Sequence, residues 1–530
     1  MISSIRQGHR SNRPLTVVLT SVVMDLSPRL RAICDLSVSE MREYSGRHEY
    51  DGKPQDLSPS GVRAGLAALA SAKASGPAFA DAYDEAQASS REEALKVVFG
   101  DLELHRSNPV YHVGELDLSC YDREYAPAEE RAAAKVEHLA AWPAIVDAAI
   151  ESLDRISAPA AQSLLDAVRG LVSGIPTSAE GADAARQAHG RLVGHIEHAA
   201  SHGEPDAALG NAALTALMAS GDAIPVDLGR LAEQADGERD RLHVLLAEDC
   251  ARVLPGEAPL TAARELVRDH PDAAGVIQAA RVWTERAIEF TRSHDLVPYN
   301  DGVCLVGLAP ESRRWAMAMM LSAAPGEPEG PSWFHITPPD ASWPASEQEE
   351  WLEVFSDTTL PGIAVHEVAP GHFSHGRALR RLTSDVRRTV HSEAFIEGWA
   401  HYAEELCVEE GFGADDPKLR VGTWLEALVR VTRLACAIGV HTAGMTVAEA
   451  AQRFEADTHL SGPAALSEAR RATFDPTYGR YTWGKLEILR LRERARKEWG
   501  AGFTLQRFHK AMFDLGSPAL GLLGTAVDRG

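Results

Sequence analysis

The stretch Gly362 to Glu405 reads GIAVHEVAPGHFSHGRALRRLTSDVRRTVHSEAFIEGWAHYAEE. Its first half carries His366, Glu367 and His372, with His375 close behind. Its second half carries Glu393, Glu397 and His401 at helical spacing. Neutral imidazoles with a carboxylate suit a tetrahedral catalytic zinc whose fourth position is left to water. A second carboxylate, off the metal, is needed to take the proton from that water. Glu367 directly follows the first histidine, where peptidases of the HExxH type keep that base.

The spacing departs from HExxH. His366 and His372 are six positions apart. On a regular helix six residues make a rotation of about 600° and a rise of about 9 Å, so the two side chains would point about 120° apart. Metal–nitrogen bonds of about 2.0–2.1 Å cannot span that. The helix must therefore break between them if both bind one ion. Pro370 lacks an N–H and clashes with the preceding turn, and Gly371 adopts backbone angles closed to other residues. His372 and His375, three apart, face each other on an unbroken helix and form an alternative pair. The pair His366 and His372 is preferred because it sets Glu367 beside a ligand and gives the Pro-Gly insertion a purpose.

HEVAPGH followed by EGWAHYAEE resembles the bacterial family called domain of unknown function 885, which has an HExxPGH segment followed by an EGWA segment. The run YTWGKLEILRLRERARKEWGAGFTLQRFH, Tyr481 to His509, resembles that family's YxxGK…R…FH segment. The resemblance covers roughly Asp295 to Leu523. The family is similar to zinc metallopeptidases of the thimet-oligopeptidase and Taq-type carboxypeptidase kind, which implies a mainly helical fold with a cleft. By position it implies His366, His372 and Glu397 as zinc ligands, one Zn2+ per chain, and Glu367 as base. His401 lies outside what the resemblance carries over.

The chain has 530 residues, more than one ordinary core holds, so two or more lobes are expected. A net charge of −23 argues against nucleic acid or an anionic membrane as the main partner. Six scattered cysteines without a CxxC form neither a disulfide framework nor a thiolate zinc site. Reduced thiols in a cytoplasm are the simplest reading. The apolar run Leu15 to Met24 follows three arginines, as in a signal peptide, so secretion stays open. The run is interrupted by Thr16, Thr20 and Ser21 and lacks a close small-x-small cleavage site. Residues 1–26 are read as a disordered extension. No stretch is long and apolar enough to span a membrane.

Residues 27–245 read as a helical N-terminal lobe without a ligand cluster. Val136, Leu139, Val146, Ile150 and Leu153 recur at helical intervals, and Pro143 starts or kinks a helix there. Asn108 to Asp122 reads as an irregular inter-helix loop. Residues 246–530 read as the zinc-binding lobe. A helix is expected from Ala273 to Arg292. Val303 to Leu308 and Trp333 to Thr337 read as two strands of a small sheet beside the metal helix, with a short helix, Glu311 to Ala323, between them. Such an edge either binds an extended substrate backbone or is a structural hairpin. Ser346 to Glu349 has the form of a capping box. Thr358 or Thr359 is expected to cap the metal helix, with Pro361 in its first turn. Later helices are expected at Glu393 to Glu405, Leu419 to Ile438, Thr482 to Trp499 and Leu505 to Phe513.

Glu393, Glu397, His401 and Glu405 form a stripe on a helix whose other sides are aromatic, so the stripe is expected to be buried and to need partners. Glu393 is expected to accept a hydrogen bond from a ligand imidazole. His375 is assigned to the surroundings of the metal or to the surface. Within the resemblance, Tyr481 is the candidate to stabilise an oxyanion, with Tyr478 as competitor. Trp483, Arg480, Lys485 and Arg492 are candidates for the cleft wall, where a cation can take a peptide's terminal carboxylate. The alternative is that Arg490, Arg492 and Arg494 are a solvated face. His509 has no assigned role.

The expected fold is mainly α, large, two-lobed and zincin-like, with a deep cleft and a small β-sheet. The expected function is hydrolysis of peptide bonds, in short peptides, by zinc-activated water with Glu367 as general base. The alternatives are hydrolysis of a small non-peptide amide, and a non-catalytic binding protein with a structural or vestigial metal site.

Overall fold

The first half of the chain is a succession of helices that bury alanine and leucine faces against one another. The structure, a computed structural model, describes residues 26–310, 313–314 and 316–530. The expected extension at 1–26 therefore lies, but for its last residue, outside the described residues. In the helix Ala128–Ser152, Leu139, Trp142, Val146 and Ala149 pack with Val168 of Ala158–Gly170 and with Leu192 and Ile196 of Ala182–His202. Pro143 is accommodated inside that helix, and Val136 stays exposed. Asn108 to Asp122 is more regular than expected. It contains a helix, Val110–Leu116, and a 3-10 turn, Ser119–Asp122, because Leu116, Leu118 and Tyr121 bury into this core.

The second half builds on helix α1, Leu228–Val253. It runs unbroken through the 245/246 boundary drawn from sequence. Its residues Leu231, Leu242 and Leu246 share a core with the C-terminal helices. Helix α2 is Val276–Ser293. Strands β1 (Cys304–Leu308), β2 (Ala318–Leu321) and β3 (Ser332–Ile336) form one sheet in the order β1-β3-β2. β1 runs parallel to β3, with Cys304 opposite Ser332, and β2 runs antiparallel to β3. The sheet has a third strand where a helix was expected from Glu311 to Ala323, and the parallel β1–β3 pair excludes the hairpin. The alternation of Phe334 and Ile336 explains the choice: both enter a core with Val306, Ala364 and Phe373, which a β pleat presents on one face.

Helix α3, Ala345–Glu353, starts at Pro344, so Ser346 falls inside its first turn and makes no cap hydrogen bond. Gln348 instead reaches back to the Trp343 carbonyl at 2.8 Å. Helix α4, Leu360–Glu367, follows with Pro361 in its first turn. Thr359 occupies the N-cap position, but its hydroxyl turns back to the Val354 carbonyl at 2.7 Å and does not cap. Helix α5 is His372–Leu379, and helix α6 is Glu393–Glu409. Helices α7 (Pro417–Thr442), α8 (Gly462–Arg471), α9 (Arg480–Trp499) and α10 (Leu505–Phe513) complete the frame.

Helices α6 and α9 cross at two glycines. A side-chain carbon on Gly398 would stand 2.5 Å from the Gly484 Cα, and one on Gly484 would stand 1.9 Å from the Ala394 carbonyl oxygen. Only hydrogen at both positions permits this approach, and it brings the start of α9 beside the middle of α6.

The same interface buries charge. Lys485, fully buried, binds Glu405 at 2.5 Å and Glu238 of α1 at 2.9 Å. Arg241 binds both carboxylates from the rim. Arg492 is buried against Glu409 at 2.7 Å and the Tyr402 hydroxyl at 3.3 Å. Lys485 and Arg492 therefore tie helices together and do not face a cleft. Trp483 is likewise buried in the core. Burial alone would raise the Glu405 carboxyl, but Lys485 and Arg241 overcome it and hold it at about 2. A depressed carboxyl adds stability above its unfolded value of about 4.3 and loses it as pH falls toward 2. Lys485→Met should lower unfolding stability at pH 7 by about 3–5 kcal/mol, since two buried carboxylates lose a partner. It should also flatten the loss of stability between pH 4 and 2 in denaturant titrations.

Candidate metal centre

Helix α4 closes with the Val368 N–H on the Ala364 carbonyl, and the chain then leaves helical geometry until α5 begins at His372. The Gly371 N–H reaches back to the Val365 carbonyl at 3.2 Å. A side-chain carbon on Gly371 would lie 1.9 Å from the His366 carbonyl oxygen, so this fold-back requires glycine. The buried Trp399 indole N–H of α6 donates to the Pro370 carbonyl at 2.9 Å and holds the break in place. The break re-aims α5 so that the rings of His366 and His372 lie 4.8 Å apart, nearly perpendicular.

Glu397 of α6 faces both rings. Its Oε2 is 3.5 Å from His366 Nε2 and 3.4 Å from His372 Nε2. One donor atom from each of the three residues lies within 4.8 Å of the others. A tetrahedral ion with bonds of about 2.1 Å sets its donors about 3.4 Å apart. Glu397 Oε2 is buried and makes no regular hydrogen bond. Burial would raise this carboxyl, but His366 and His372 hold it well below the usual range, so it is an ionised carboxylate aimed at both rings. The donor set and its spacing fit zinc.

The imidazole of His366 is oriented from behind. Its Nδ1–H donates to Glu404 Oε1 at 2.5 Å, leaving Nε2 for the cluster. Burial and Arg430 push the His366 ring down, and the nearby Glu397 and Glu404 carboxylates outweigh them, raising it to about 9. Glu404 is the functional residue missed in the sequence. It also receives His401 Nδ1–H at 3.2 Å and Arg430 at 3.2 Å. Burial acts against its charge, yet Arg430 and the two histidines keep it ionised. Burial pushes His401 down to about 4, so it is a neutral donor to Glu404.

Helix phase is the signal that would have found Glu404. Seven residues turn about 700°, so Glu404 lies almost under Glu397. Steps of four drift by about 40° each, which splits the expected stripe. Glu393 is half exposed, with its carboxylate 3.7 Å from His391 and no ligand histidine bonded to it. Glu405 has rotated off to Lys485. Glu393 thus does not take the role expected of it; Glu404 does.

His375 is buried on α5 but turned away from the cluster, donating from Nε2 to the Gly516 carbonyl at 3.1 Å. Burial holds it neutral, at about 4. The alternative pair His372 and His375 is not brought together. Tyr481 stacks on His366 with ring centres 6.2 Å apart. Burial and the Glu397 charge raise its phenol, so it keeps its proton. Tyr478 is sealed in a separate core with Phe454 and Cys436. His509 joins three segments: Nδ1–H donates to the Leu296 carbonyl at 2.5 Å, Nε2 accepts from the Tyr402 hydroxyl at 3.0 Å, and Trp399 packs on its ring. Glu367, the last residue of α4, is buried without a hydrogen-bond or ion partner among the described residues.

A family profile described as "Bacterial protein of unknown function (DUF885)" matches residues 40–527. The chain belongs to this family. No curated protein matches. A solved structure described as a "putative lipoprotein of unknown function" from Shewanella oneidensis is similar at TM-score 0.75 and 19% identity, over 94% of this chain and 97% of that one. A "putative lipoprotein" from Colwellia psychrerythraea is similar at TM-score 0.78 and 15% identity, over 95% and 98%. At these identities the likeness shows the fold, which this DUF885 chain shares over nearly its whole length. Among its described residues no helix is long and apolar enough to cross a membrane.

His372→Ala should abolish zinc binding measured by metal analysis of the purified protein, while His375→Ala should retain one equivalent. Glu404→Gln keeps the shape but removes the anion behind His366. It should weaken zinc about 10–100-fold in a chelator competition.

Proposed function

We propose that this protein is a zinc-dependent peptidase with a two-lobed, zincin-like build and a substrate cleft at the metal centre. The observation that carries the reading is the pairing of a His366–His372–Glu397 donor set with Glu367, a largely buried residue of the same helix whose carboxylate has no ion-pair or hydrogen-bond partner among the described residues. A structural site needs no such residue.

Zinc held by His366, His372 and Glu397 would supply Lewis acidity to a water and to a substrate carbonyl. Glu367 would accept a proton from the attacking water as its oxygen bonds to the carbonyl carbon. The Tyr481 phenol, protonated at neutral pH, would donate a hydrogen bond to the oxygen that becomes negative. Glu367 would then deliver its proton to the leaving nitrogen as the carbon–nitrogen bond breaks. Glu404 and Trp399 act at one remove, the first on the orientation of His366 and the second on the backbone break. Strand β2 is an edge of the sheet, and Ser322 just beyond it touches Gly376 of α5. An extended peptide can add there as one more strand. The cysteines, none paired and five of them buried, favour a reducing compartment and hence the cytoplasm.

Glu367→Gln keeps size and removes the base. Zinc content and melting temperature should stay near wild type, and hydrolysis of a peptide library should fall about 10²–10⁴-fold. A zinc-loaded wild type that cleaves nothing in the library would sink the peptidase reading. Equal rates for the two proteins would sink the role of Glu367.

A further inference from the structure

Arginines from three helices surround Tyr481. Arg433 and Arg430 place their guanidinium carbons 5.2 and 5.8 Å from its ring centre, and the charges of Arg471 and Arg480 act on its phenol from α8 and α9. Their counter-charges are uneven. Arg430 is matched by Glu404 and Glu426 at 3.2 and 3.1 Å. Arg433 is matched by both oxygens of Glu468, each at 2.7 Å. Arg471 and Arg480 share the single carboxylate of Asp475, at 3.0 and 2.6 Å. The second carboxylate on Arg430 evens the total of charges, so the shortfall of negative charge lies locally at Arg471 and Arg480.

The donors are unevenly used as well. Arg471 spends Nε and Nη2 on Asp475, and Arg433 spends Nε and Nη2 on Glu468. The remaining Nη1 of each has no acid partner among the described residues. The Arg471 side chain is 31% exposed, so water and solutes reach it. Planar guanidinium groups with free N–H donors are the side chains best suited to a carboxylate.

Distance sets the size of what fits. The Tyr481 ring is 6.2 Å from that of His366, and the Arg433 guanidinium carbon is 5.2 Å from the Tyr481 ring. One residue of extended chain spans at most about 3.3–3.6 Å. A few residues of extended chain at most fill the gap between a carbonyl at the donor cluster and a carboxylate at the arginines. Glu393 opposes this charge from α6 and would instead favour a substrate amine.

We infer that Arg471, with Arg433 beside it, receives the free C-terminal carboxylate of a short peptide, so that the protein cleaves within a few residues of that end. The cleavage rests on the reading proposed above; the carboxylate site does not.

The test is binding, read on zinc-loaded Glu367→Gln so that no turnover intervenes. The probes are N-acetyl-dialanine with a free carboxylate and the same peptide as its C-terminal amide, titrated calorimetrically. The acid should bind about tenfold or more tightly than the amide, the scale of a charge-assisted hydrogen bond. Adding Arg471→Met should erase the preference, and Arg471→Lys, which keeps charge without the fork, should restore part of it. The preference should also persist in chelated protein, which separates the arginines from the metal as the carboxylate's partner. Equal binding of acid and amide overturns the inference. So does a preference that survives Arg471→Met, or one that disappears on chelation. Should Arg471→Met fail to fold, the acid–amide and chelation comparisons on Glu367→Gln decide alone. Failure of library hydrolysis would strike the peptidase reading and leave this binding result standing.

Discussion

Everything at the candidate site depends on a helix that stops. Residues 368–371 turn the chain out of α4 and into α5, and without that turn His366 and His372 would diverge and Glu397 could face only one of them. The break is an unfavourable element in a buried place: it strands carbonyl groups and brings backbone against backbone. Gly371 relieves the second problem, because any side chain there would meet the His366 carbonyl. Trp399 relieves the first by donating its indole N–H to Pro370. A residue of the second motif thus completes the geometry of the first.

Charge balance is the next constraint. Glu404 is buried and ionised behind His366, and Glu397, with its Oε2 buried, is ionised facing the donor cluster. Buried anions survive only with cations and hydrogen-bond donors around them. Arg430 and His401 serve Glu404, and the rings of His366 and His372 face Glu397. The same helix meets the same demand lower down, where Lys485 and Arg241 neutralise Glu405. Helix α6 therefore carries three acidic residues inward, each answered from a different helix, which makes it the axis of this half of the molecule.

Close approach links the parts. The glycines of EGWA and of YTWGK are the crossing point of α6 and α9, and their contact sets Tyr481 over His366. The C-terminal motif is thereby a part of the candidate site in space although far from it in the chain. His509, from the end of the same motif, fastens α10 to Tyr402 and to the Leu296 backbone. Its burial explains its presence without any contact with the donor cluster.

Local chemistry was legible in the sequence. The helical class, the breaks at Pro370 and Gly371 and the helices α2, α6, α7, α9 and α10 follow from periodicity and from the backbone limits of proline and glycine, and the family resemblance implied the grouping of His366, His372 and Glu397. Choices that depend on which face meets which neighbour were not. Four-residue spacing made Glu393 and Glu405 look equivalent to Glu397. The 40° drift per step sends one to solvent and the other to Lys485, and raises Glu404 to the role behind His366. Lys485 and Arg492 looked like wall residues because a sequence does not show that carboxylates from other helices wait for them. The segment before β3 read as a helix because its alanines and methionines favour one locally, and the edge of β3 overrode that preference. Sequence alone determined which residues can do metal chemistry and where the helix must break; tertiary packing decided which charges are paired, because pairing joins residues that only the fold brings within reach.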